Sequence, residues 1–159
     1  MKKIVLSAFA LLFSAAVTVA HAQVPSYGPS VTLDQAKRAI AAGQAEARKN
    51  SWPVAIAVFD TSGNLVAFEK MDDTQTASVE VAQDKGRSAV IFRRPTKVFE
   101  DLVAGAGAGT RILGLRGASP VEGGVPIIAG GKVVGGIGVS GVTSQQDGVV
   151  AKAGADALK

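Results

Sequence analysis

The 159-residue chain carries 17 Lys and Arg against 13 Asp and Glu, a net charge of +4, with no cysteine, one histidine and 19 glycines. Without cysteine there is neither a disulfide framework nor thiol chemistry, so a hydrophobic core must stabilise the fold. A charge this small, with no basic stripe of interleaved aromatics, excludes a nucleic-acid binder.

The first 22 residues read as a secretory leader. Lys2-Lys3 is a basic n-region, Ile4–Val19 an apolar h-region and Ala20-His21-Ala22 a small-x-small cleavage site. Cleavage starts the working chain at Gln23, leaves one domain over 23–159 and makes the protein periplasmic or secreted. Two positive charges and the single histidine, His21, leave with the leader. Ser-His-Asp and Cys-His machinery is then impossible. Zinc, blue-copper and His-ligated iron sites lose their usual ligands.

Val24–Val31, with Pro25, Gly28 and Pro29, is an extended lead-in. Thr32-Leu33-Asp34-Gln35 forms a capping box that opens a helix to about Asn50, which Trp52-Pro53 ends. Val54–Phe59 and Leu65–Lys70 flank the turn residues Asp60–Asn64 and make a hairpin. Ala77–Phe92 is a second helix; Gly86 in its middle costs about 1 kcal/mol against Ala and so marks a close packing contact. Arg93-Arg94-Pro95 closes it, and Thr96 is an N-cap for a short helix over Lys97–Val103. Ala104–Gly109 reads as a flexible loop. Its Gly-Ala alternation is not a dinucleotide fingerprint, because no strand precedes it and the spacing is not G-x-G-x-x-G. Arg111–Leu115 is a short apolar piece of open type.

Residues 123–141 hold an ordered glycine block. Val125–Ala129 and Lys132–Val139 are β-branched runs around Gly130-Gly131, a two-residue hairpin signal. In the second run Val134, Gly136, Gly138 and Ser140 share one face, and Val133, Gly135, Ile137 and Val139 the other. Glycines inside a strand mark close approach, here by a helix, another subunit or a flat ligand. Ser144-Gln145-Gln146-Asp147 resembles a capping box opening a last helix over about Gln145–Leu158. The order predicts an α+β domain: an antiparallel sheet of two hairpins with helices segregated to one side.

Several segments together resemble the GlcG/HbpS family of small haem-binding-type proteins. They are Leu65–Phe68 with Met71-Asp72, Lys85 in its Ala-rich helix, Phe92-Arg93-Arg94-Pro95-Thr96, Gly123–Ile127, Gly135–Gly141 and Asp147. The resemblance spans about 32–158. It implies a profilin-like fold, a homo-oligomer, haem bound outside the cytoplasm by some members, and in one branch haem degradation or redox relay to a membrane sensor. It also implies that the iron can be met by a threonine, which by motif position is Thr96.

Three functions follow as expectations. The leading one is an exported protein that binds haem or another flat small molecule. Thr96 is then the metal ligand, Met71 a further candidate, and Lys85, Arg93 and Arg94 partners of the propionates. Gly136 and Gly138 would let the macrocycle lie against backbone. The second is an enzyme acting on a small organic acid or on haem itself, with Lys85, Asp72 or Asp147 as acid or base. The third is an oligomeric interaction module whose glycine strand packs on a neighbour.

Overall fold

A computed structural model describes residues 24–159; the leader expected over 1–22 lies outside them. The elements are α1 (Leu33–Lys49), β1 (Ala55–Phe59), β2 (Leu65–Lys70), α2 (Ser78–Phe92), α3 (Lys97–Ala104), a 3-10 stretch over Gly107–Gly114, β3 (Gly124–Ala129), β4 (Lys132–Ser140) and α4 (Ser144–Asp156). The four strands form one antiparallel sheet in the order β2-β1-β4-β3.

Local chemistry explains most boundaries. The α1 capping box is present as expected, Thr32 accepting from Gln35 N while Gln35 reaches back to Thr32 N. In the first hairpin Asp60 Oδ1 accepts from the amides of Ser62 and Asn64. In the second, Gly130 and Gly131 both have positive φ, +54° and +74°, the turn whose twist suits a tight hairpin. The α4 cap sits one residue earlier than expected: Thr143 and Gln146 form the box. Of the run expected as a loop over Ala104–Gly109, Ala104 ends α3 and Gly107–Gly109 open the 3-10 stretch, which takes in the following piece as far as Gly114. The lead-in adds to the sheet, Tyr27 bridging Val133 where β4 has run past the end of β1.

The helices are not on one side. Helices α1 and α4 cover one face, where Ile40, Ile56, Val58, Ile137, Val139 and Val150 form a fully buried cluster. Helix α2 covers the other, over Ala55, Ala57 and the glycines of β4. The alternation in β4 is the physical reason: both of its faces are buried, so both need a cover.

That second cover explains the glycines. A Cβ on Gly138 would lie 2.1 Å from Ala82 O and 2.2 Å from Gly86 N; one on Gly136 would lie 2.7 Å from Gly86 O. A Cβ on Gly86 would in turn lie 2.8 Å from Gly138 N and 3.0 Å from the Phe59 ring. What approaches the glycine strand is therefore α2 of the same chain, backbone against backbone. Gly136 and Gly138 have no free surface for a macrocycle, and their role as cofactor contacts is corrected accordingly. The same packing corrects the reading in which this strand meets a neighbouring molecule.

Candidate functional site

A cleft of about 550 Å³ runs along the open edge of β3. Its floor is apolar, with Val125, Pro126 and Ile128, and Pro126 is tolerated because β3 is an edge strand. One wall is the α2–α3 junction, with Arg93, Arg94, Pro95 and Lys97; the other is α4, with Gly148, Lys152, Ala155 and Asp156. Five cationic side chains line it against the acids Glu122 and Asp156.

The arginines reach the cleft through a backbone reversal. Arg93 caps α2 in the left-handed region, φ 52°, its N–H directed to Ala89 and Val90 carbonyls. Its guanidinium donates to Pro25 O at 3.2 Å and lies 5.2 Å from the Tyr27 ring centre. Arg94 stands 5.8 Å from the Phe99 ring centre, and Phe99 packs edge-on against Phe92 at 5.2 Å. Both guanidiniums are thus held by aromatic faces at the rim, with donors left for an anionic ligand.

Behind the cleft lies a buried ion pair. Lys85 Nζ donates to Asp147 Oδ2 at 2.8 Å and to Val139 O at 3.1 Å, and both side chains are 2% exposed. Lys85 belongs to α2 and Asp147 to α4, so the pair joins the helices of the two sheet faces. It does so just beyond the start of β3, where Val139 N still donates to Gly123 O. Gly123, at φ +126°, closes over it: a Cβ there would lie 2.8 Å from Lys85 Nζ and 2.9 Å from Asp147 Cβ. Burial pushes the Asp147 carboxyl above its ordinary range, while Lys85 and the amides of Val142 and Gly141 act the other way.

Five sequence-predicted residues therefore need correction. Besides Gly136 and Gly138, Lys85 is committed to Asp147 and does not face the cleft, so it is not a propionate partner. Thr96 is fully buried; it holds the N-cap position of α3 as expected, but with helical backbone and no capping bond from its side chain. Its Oγ1 accepts from Gly124 N at 2.9 Å, fastening α3 to β3 behind the cleft wall, and it has no surface to offer a metal. Met71 lies past the end of β2, at the opposite edge of the sheet, beside Arg48, Trp52 and Asp73. Arg93 and Arg94 are brought together. Glu122, Lys152 and Gly148 were missed; the first is far in sequence from the other two, and only the fold aligns them.

The molecule is thus an α-β-α sandwich with a cation-rimmed cleft along one strand edge. The family model for haem-degrading HbpS-like proteins matches residues 31–156, and the chain belongs to that family. It is 43% identical over 110 residues to protein GlcG of Escherichia coli K12, covering 69% of this chain and 81% of that one. The crystal structure of HbpS superposes with a TM-score of 0.76 at 31% identity, over 84% of this chain and 94% of that one. The Klebsiella pneumoniae protein ORFY gives 0.75 at 25% identity, over 87% and 97%.

Proposed function

We propose that this protein binds haem in the β3-edge cleft, outside the cytoplasm. The observation that carries the reading is the apolar strand edge rimmed by Arg93 and Arg94. Membership of a family described by haem handling supports it. The residues fit the group on two counts. Val125, Pro126 and Ile128 offer a flat apolar surface for a macrocycle, and the two guanidiniums suit carboxylates by charge-assisted, bidentate bonding. They supply no histidine or cysteine. Bound haem would bring the redox chemistry; the chain's own residues hold its carboxylates, exclude water from one face and fix its orientation.

Titration of ferric haem into the purified domain tests this. A saturable Soret shift is expected for wild type. Arg93→Ala and Arg94→Ala each take one guanidinium away from a propionate and should weaken binding about tenfold, on the scale of 1.4 kcal/mol per decade. Absence of a saturable shift in the wild-type domain would falsify the reading. Export rests on the expected leader, and an N-terminus at Gln23 in the exported protein is the outcome that checks it. Assembly as a homo-oligomer and a membrane sensor partner are further elements of the proposal, drawn from the family resemblance.

A further inference from the structure

The two guanidiniums at the cleft rim are held by different parts of the molecule. Arg94 leans on Phe99, a core ring that is 2% exposed. Arg93 leans instead on Tyr27, which belongs to the lead-in and is 42% exposed. Arg93 also ends α2 in the left-handed region, a conformation that helix ends ordinarily give to glycine. Backbone strain of this kind persists where the side chain is put to use.

The lead-in is built to hold that side chain. Gly28 N donates to Val133 O at 2.8 Å, Val133 N to Ser26 O at 2.9 Å and Val31 N to Val134 O at 2.8 Å, which fastens the segment along β4. From there the Tyr27 hydroxyl donates to Val90 O at 2.9 Å, with Ile91 O at 3.1 Å, both in the last turn of α2. The ring is thereby fixed against the Arg93 guanidinium, while Pro25 O takes one guanidinium donor at 3.2 Å. The remaining donors are left for a ligand. Val24 and Pro25 go on to line the cleft beside Arg93. At 42% exposure Tyr27 adds little to the core; its fixed place serves the helix end and the arginine.

Resting on the haem reading above, we infer that Tyr27 is a positioning residue for that site: its ring holds the Arg93 guanidinium toward the cleft before a ligand carboxylate arrives. Tyr27 lies outside the cleft lining and acts through Arg93. The gain is entropic. A loose arginine loses rotamer freedom when it pairs, and holding it beforehand removes that cost from binding. The lead-in thus helps the cleft prefer ligands that carry a carboxylate beside a flat apolar body.

The test compares haem with its dimethyl ester, which keeps the macrocycle and iron and lacks both carboxylate charges. Wild type should prefer haem by about a hundredfold, roughly tenfold for each guanidinium. Tyr27→Leu should lower that preference about fivefold, the scale of one side chain ordered on binding, and leave ester affinity unchanged. Added to Arg93→Ala, it should lower the preference no further, because both act through one contact. Tyr27→Phe keeps the ring face and should keep most of the preference. Equal weakening of haem and ester in Tyr27→Leu would overturn the assignment, showing a purely structural role. An unchanged preference in Tyr27→Leu, or additive losses in the double variant, would overturn it as well. If wild type binds both porphyrins equally, the assignment falls while haem binding stands. If neither saturates wild type, the haem reading falls and this assignment with it.

Discussion

On one face of β4, Gly136 and Gly138 let α2 descend onto the strand's own backbone; on the other, Ile137 and Val139 hold α1 and α4 off by whole side chains. The residues alternate along a single strand, yet the two faces obey different rules. The glycine face is defined by contacts between backbones, which cannot swing aside. The branched face is defined by side-chain volume, which neighbours can partly refill. A poor strand former can thus be the most constrained position in a strand.

Replacing the residue that ties the two faces together should cost the most. Lys85→Met leaves Asp147 buried without its counter-charge and should cost about 3–5 kcal/mol, read as a lowered denaturant midpoint. Adding Asp147→Leu should recover much of that loss, because two apolar groups replace two charges. A double variant no more stable than the single one would show that the pair is needed for more than neutralisation.

Next comes Gly138→Ala. One methyl driven into Ala82 O and Gly86 N should cost about 3 kcal/mol, the upper end of overpacking. Deleting one methyl from the other face, Ile137→Val, should cost only about 0.5–1.5 kcal/mol. Equal losses in these two variants would break the contrast between the faces.

Glu122, just before β3 and against α4, should matter least. Its folded-state pKa is raised, so the fold binds its proton more tightly than the unfolded chain does. Its contribution is fully present below the unfolded pKa, near 4, and is lost as pH rises through the folded value. Glu122→Gln should therefore make the ligand-free protein slightly more stable at pH 7, by less than about 0.5 kcal/mol. That advantage should vanish when melting is repeated near pH 4.

Much of the fold was legible because its signals are local. The Thr32 capping box, the Asp60 turn and the Gly130-Gly131 hairpin are each set within a few residues. Gly86 also announced a close contact correctly. Which partner makes that contact was not legible, since the contact joins residues 86 and 138 across a long stretch of chain. The same distance hid the site. Lys85 looks like any helix lysine until α4 brings Asp147 to it, and Glu122 looks like a solvated loop acid until Gly148 is placed beside it. Arg93 and Arg94 were readable because they are adjacent at a helix end. Thr96 failed because its motif position says nothing about which way the hydroxyl turns.

The ammonium of Lys85 bears on how the molecule comes apart. Its two partners lie on β4 and α4, and its stem rises from α2, so it is satisfied only when all three are in place. Helix α4 cannot peel away by itself without stranding that charge in the interior. Its amides near Asp147 should then exchange with solvent only through near-global opening, and this helix at the end of the described chain melts with the sheet rather than before it.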